Sequence, residues 1–228
     1  MQPYFFPYLG YFQLINEVDR FIIYDNLKYT KKGWINRNQI LVNGKADIFS
    51  LPLKKDSNLL LINERCIATE YSREKLLAKI YGNYSKAPFF IQTFEVVKKI
   101  IDYPDNNLFF HLLNSIQELC DYLLISTKIQ IASDIPIDHS LRGKEKVIAV
   151  CQTLGSNLYV NPISGTNMYD RQSFITKGID LKFLSMNEIV YQQFDNRFVP
   201  SLSIIDVLMF NSREKVQELL KTHYRLIP

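Results

Sequence analysis

Apolar and polar positions change rhythm along this chain, and each change marks an element. The opening stretch MQPYFFPYLGYFQLI is almost wholly apolar, and from Tyr11 to Asp19 it takes on helical spacing with Phe12, Ile15 and Val18 facing inward. RFIIYD (Arg20–Asp25) is a short apolar run ending in an acid, the pattern of a buried strand. In NQILVNGKADIFSLPL two apolar runs flank Asn43-Gly44, the strongest short hairpin signal available. NLLLINERCI predicts a further strand. From Glu70 the period becomes helical, with Leu76, Leu77, Ile80 and Tyr84 recurring. FFIQTFEVVKKIID and NLFFHLLNSIQELCDYLLI continue it on either side of a Tyr103-Pro104-Asp105 stop.

The second half alternates. KIQIASDI, NLYVNP and IDLKFLSM predict strands, and GKEKVIAVCQTLG and MYDRQSFITKG predict helices closed by Gly155 and Gly178. SIIDVLMFNSREKVQELLKTH predicts one or two final helices. Strands and helices alternating at this spacing predict βαβ units. The expected fold is therefore α/β, a mostly parallel sheet with flanking helices. A single domain spans 1–228, with a helical lobe at about 70–125 inserted between two α/β parts.

Composition changes this picture in three places. Fourteen Tyr and fifteen Phe against one Trp suit a cleft that is both apolar and hydrogen-bonding, or simply a full core. Cys66, Cys120 and Cys151 form no CxxC, which favours a reducing compartment over a zinc ribbon or a disulfide framework. With no signal-peptide pattern and no long apolar run, the expected location is cytoplasmic, without a membrane span. The net charge of +4 is too small to imply nucleic acid, but between Lys28 and Lys55 seven basic residues face Asp47 alone. Such a field favours an anionic ligand; a solvated, lysine-rich edge strand is the alternative.

No common catalytic motif is present: GxSxG, GxxxxGK[ST], HExxH and GxGxxG are all absent. His111 lies in an apolar helical pattern and reads as packed; His139, beside Asp138, is the best placed of the three for proton transfer. No clustered carboxylates accompany them, so neither metal nor cofactor is indicated. Pro3 and Pro7 brace the aromatic opening as a rigid loop, with Tyr4, Tyr8 and Tyr11 available as a wall for a sugar or base. The spacing faintly echoes the HxGH loop of nucleotidyltransferases, with tyrosines where histidines would stand. In KKGWINRN, Trp34 offers a stacking face, Arg37 a fork for phosphate, and Asn36 and Asn38 donors and acceptors. The structural alternative is a Trp in the core and an Arg37–Asp25 salt bridge. Ser164-Gly165-Thr166, after a strand and before a helix, sits where α/β proteins place ligands. Ser201 or Ser203 is the expected cap of the next helix, with Asp206 a dipole partner in its first turn.

Taken together, QPYFFPYLGYFQLI, FIIYDNLKYTKKGWINRNQIL, SLPLKK, YSKAPFF, SGTNMYD and PSLSIIDVL resemble the WbqC-like family over residues 2 to about 208. Members of that family carry a short strand ahead of the Gln. The likeness thus implies a strand upstream of Met1, with Gln2 and Tyr4 at its carboxyl end. It also implies surface-polysaccharide or O-antigen biosynthesis and a nucleotide-linked amino sugar as the anionic small-molecule partner. The expected reaction is acyl or aminoacyl (glycine-type) transfer to the sugar amine. Nucleotidyl transfer, ATP-dependent acyl activation and non-catalytic binding remain alternatives. In the transferase reading Asp25 is the base and Tyr8 or Tyr11 the hydroxyl donor. Gln2, Tyr4, Lys32, Trp34, Arg37, Asn38, Ser164 and Gly165 bind substrate.

Overall fold

The structure is a computed structural model that describes residues 1–194 and 197–228. Helix α1 (Leu9–Glu17) starts where the proline-braced loop ends. Every residue from Leu9 to Ile15 is buried, so this helix is apolar on all sides and forms the centre of the molecule. Gly10 is required there by close approach: a Cβ would meet the Tyr8 ring at 2.5 Å. Gln13, fully buried, donates to the Leu219 and His223 carbonyls at 3.0 and 3.1 Å, tying α1 to the chain's last helix.

Strand β1 (Arg20–Ile23) follows and pairs in parallel with β4 (Lys128–Ile131). Strands β2 (Arg37–Val42) and β3 (Lys45–Ser50) form the expected hairpin, with Asn43 and Gly44 at φ +50° and +73°, the left-handed pair a two-residue turn requires. Strands β5 (Leu158–Pro162) and β6 (Asp180–Met186) are parallel, and β7 (Tyr224–Ile227) adds antiparallel to β6. The parallel pairings thus fall in two separate small sheets rather than one continuous sheet. Between them a groove of about 480 Å³ is lined by β1, β5 and the start of the chain. At its end the Met1 amine donates to the Ile22 carbonyl (2.6 Å) and the Tyr24 N–H donates to the Met1 carbonyl (2.8 Å). This is one rung of parallel pairing.

Helices α2 (Arg73–Tyr84), α3 (Phe90–Ile101) and α4 (Leu108–Leu123) occupy the expected helical stretch. Ser72 caps α2 through the Lys75 N–H, and Asn107 caps α4 through Phe109 and Phe110. Their inner faces join the main hydrophobic core, which also holds Phe5, Phe6, α1 and the last two helices, α7 (Ile204–Phe210) and α8 (Arg213–Thr222). A second, smaller core lies between α5 (Gly143–Thr153), α6 (Arg171–Ile175) and β6, around Phe174 and Leu181. Gly155 and Gly178, at φ +64° and +73°, end these two helices as expected.

Two segments differ from the pattern. Residues 58–67 form a 3₁₀ turn at 62–64 and isolated bridges rather than a strand, because their backbone bonds go to several places. Asn63 and Ile62 donate to the Asp25 and Leu27 carbonyls, Tyr29 donates to Leu60, and Ile67 donates to Asn106. Asp206 stands in the first turn of α7, as expected, but is a fully buried acceptor. It takes hydrogen bonds from the Tyr84 and Tyr191 hydroxyls (2.7 Å each) and from Gln193 Nε2 (2.6 Å). The Leu41 N–H in turn donates to the Tyr84 oxygen (2.7 Å), so one carboxylate links β2, α2, α7 and the 191–193 segment. Burial raises its pKa, and the three donors offset part of that. Ser203, not Ser201, caps α7 and also donates to the Phe6 carbonyl at 2.8 Å.

Candidate functional site

The carboxyl ends of the parallel strands gather the polar groups, as expected where open α/β sheets bind ligands. Tyr24, Asp25 and Asn26 leave β1, and Asp25 is buried. Its Oδ1 accepts from the Ser133 N–H just beyond β4 (3.1 Å), and its Oδ2 from Asn63 Nδ2 (2.9 Å). Two donors from different elements fix the direction of this carboxylate. Arg37, the alternative ion-pair partner for Asp25, instead lines a cavity beside the β2–β3 hairpin. Asn26 Nδ2 donates to His139 Nδ1 (3.0 Å), which assigns the ring proton to Nε2; that N–H donates to the Ile135 carbonyl (3.1 Å).

Lys146, on α5, completes the cluster. Only 4% of it is exposed, yet its ammonium has just two long contacts, to Asn26 Oδ1 (3.4 Å) and the His139 carbonyl (3.5 Å). It lies 5.6 Å from the Tyr24 ring centroid. Among the described residues it forms no ion pair. Burial pushes its pKa down, Arg142 adds to the push, and Asp25 pulls it back. At the end of β5, Asn161 is buried and closes over Gly165: a Cβ on that glycine would sit 2.0 Å from Asn161 Nδ2. Ser164 beside it is exposed.

The residues singled out in the sequence divide between this edge and two other places. Gln2 follows the Met1 rung and so leaves beside Tyr24 and Asp25. Tyr4 and Tyr8 are half-buried against the core. Tyr11 is wholly buried and its hydroxyl donates to the Gln2 carbonyl (3.0 Å), so it braces the opening loop rather than offering a free donor. Asn38 is also buried. Its amide donates to the Phe5 and Phe6 carbonyls (3.1 and 2.7 Å), pinning a loop in which Phe6 holds φ +45°. Trp34 is 42% exposed with Arg37 5.8 Å from its ring centroid. Arg37 donates to the Gly33 and Lys32 carbonyls and faces a cavity beside the hairpin; Lys32 is exposed. The aromatic opening and the tryptophan–arginine strip therefore touch through backbone, at Phe5 and Trp34, while Arg37 faces a cavity that none of Tyr4, Tyr8 and Tyr11 lines.

Lys146, Asn26 and Asn63 were not singled out in the sequence. Lys146 left one trace: it shares a helix face with Val150, four residues on, so the apolar period of α5 carries a lysine inward. Among the described residues no group of three His, Cys, Asp or Glu side chains could hold a metal ion, and no helix is long and apolar enough to cross a membrane.

A mixed α/β chain with its polar cluster at the carboxyl ends of parallel strands is the class defined so far. The profile of the WbqC-like protein family matches residues 2–218, and the chain belongs to that family. It is similar to the uncharacterized protein Rv1507c of Mycobacterium tuberculosis, with 30% identity over 228 residues, 97% of this chain and 96% of that protein. No solved structure matches.

Proposed function

We propose that this protein is a transferase that places an acyl or aminoacyl group, of the glycine type, on the amine of a nucleotide-linked amino sugar used for surface polysaccharide. Family membership and the polar carboxyl edge support the reading. The observation that carries it is a fixed, buried carboxylate, Asp25, whose charge is felt by a buried ammonium, Lys146, that forms no ion pair among the described residues.

Amide formation needs two things at one place: a base for the proton leaving the attacking amine, and positive charge for the oxyanion that forms on the acyl carbon. Asp25, oriented by its two donors, takes the proton from the attacking amine as the C–N bond forms; when the oxyanion collapses, the C–S bond of a thioester donor breaks and the expelled thiolate leaves with that proton. Lys146 faces the developing oxyanion in a low-dielectric setting, where its charge acts more strongly than in water. Asn26 and His139 position Lys146 from either side.

The test is product analysis by mass spectrometry after incubation with nucleotide-linked amino sugars and acyl-thioester or glycyl donors. Amide formation is expected. Asp25→Asn and Lys146→Met should each lower turnover at least a hundredfold while circular dichroism stays unchanged. Full activity in both variants would remove these two residues from the reaction.

A further inference from the structure

Beside the β2–β3 hairpin, away from the carboxyl-edge cluster, lies a second cavity of about 440 Å³. Five of its lining side chains are cations: Lys31, Arg37, Lys54, Lys55 and Arg65. One carboxylate, Asp56, accompanies them, and its Oδ1 is taken by the Ser57 N–H at 2.7 Å. Among the described residues none of the five forms an ion pair, whereas Lys79, on the outer side of the same hairpin, pairs with Asp47 at 2.7 Å. Glu70 feels Lys54 and Lys55 but pairs with neither.

Arg65 makes this more than a basic surface. It is 5% exposed, and its guanidinium lies 5.0 Å from the Tyr29 ring centroid. Nη1 and Nη2 donate to the Ser57 and Lys54 carbonyls at 3.1 Å each, and among the described residues the buried Nε has no partner. The loop bearing Lys54 and Lys55 is thus folded around a buried guanidinium that forms no ion pair among the described residues. Such a charge is costly unless an anion compensates it. The neutral polar groups are already spent: the Tyr29 hydroxyl donates to Asn36 Oδ1 (2.8 Å) and the Asn36 amide to the Leu51 carbonyl (2.7 Å). What the cavity still offers is mainly positive charge, from planar forks and mobile ammonium groups, which is the chemistry that recognises phosphate.

We infer that this cavity binds a diphosphate group, with Arg65 at its floor and Lys54, Lys55, Lys31 and Arg37 around it. The volume exceeds what a single phosphate fills, and the surplus of cations suits a multiply charged anion. The site does not rest on the transferase reading, because a diphosphate would bind here whatever the reaction.

The experiment is a thermal-shift and calorimetric titration of the whole chain with inorganic pyrophosphate, and separately with uridine diphosphate, at fixed ionic strength. Pyrophosphate should raise Tm in proportion to its occupancy. The Lys54→Gln/Lys55→Gln double variant, altered only at exposed positions, should bind at least tenfold more weakly. Tighter binding of uridine diphosphate would identify a nucleotide as the carrier; equal binding would show that the diphosphate suffices. No shift beyond that of sodium chloride, or undiminished affinity in the double variant, would overturn the inference. Pyrophosphate binding without amide formation would sink only the transferase reading; amide formation without pyrophosphate binding would sink only this one.

Discussion

Among the described residues Asp206 and Arg65 are both buried ionisable groups that form no ion pair, and they are handled in opposite ways. Asp206 is surrounded by three donors aimed at it: two tyrosine hydroxyls and a glutamine amide, one of the tyrosines itself holding the backbone of β2. Arg65 has two carbonyls, an aromatic face and an Nε without a partner among the described residues, in a cavity where five cations face one carboxylate. A buried ion whose partners are complete belongs to the framework. One whose surroundings share its sign is poised for something from outside.

The comparison can be broken most decisively at Asp206. Asp206→Ala would strand two buried hydroxyls and an amide, and urea denaturation should show a loss of about 3–5 kcal/mol. His111 offers a buried base held neutral: it is wholly buried between Phe5 and Tyr103, and burial depresses its pKa to about 4. The unfolded chain takes up a proton near pH 6.5 that the folded chain refuses. Stability should therefore be insensitive to this group above pH 6.5 and fall as pH drops from 6.5 towards 4, by at most about 3 kcal/mol. In His111→Phe that part of the pH dependence should vanish. Packing rather than charge is tested by Gly165→Ala, which forces Asn161 aside; a cost of about 1–3 kcal/mol is expected from thermal melts. The smallest stability change is expected for Arg65→Met, about 1 kcal/mol, because removing an uncompensated charge relieves repulsion as well as losing two hydrogen bonds. A loss at Arg65 as large as that at Asp206 would make the two charges alike and end the comparison.

How much of this was legible depends on whether a feature is local. The Asn43-Gly44 turn and the Gly155 and Gly178 helix ends are set by the backbone needs of a few neighbouring residues, and the sequence states them directly. Strand β7 was missed because Tyr224–Ile227 is half-buried and becomes a strand only by lying against β6. The segment around Ile62 has strand-like composition, but its bonds are claimed by Asp25 and Leu27, far away in sequence. Asp25 was legible as an acid closing a buried run. Lys146 and Arg65 were not, since no pattern of apolar positions reveals that a particular cation has been enclosed. The local excess of lysine and arginine did signal an anion. It could not tell that Arg37 faces away from the aromatic opening.

The single backbone rung at Met1 also bears on how the protein is handled at the bench. Any residues that precede Met1, native or added, would enter the groove between the two small sheets and run alongside β1 instead of trailing into solvent. An affinity handle belongs at Pro228, which is exposed. A handle at the other end would act as a structural insertion, to be judged by its effect on melting temperature before any assay is trusted.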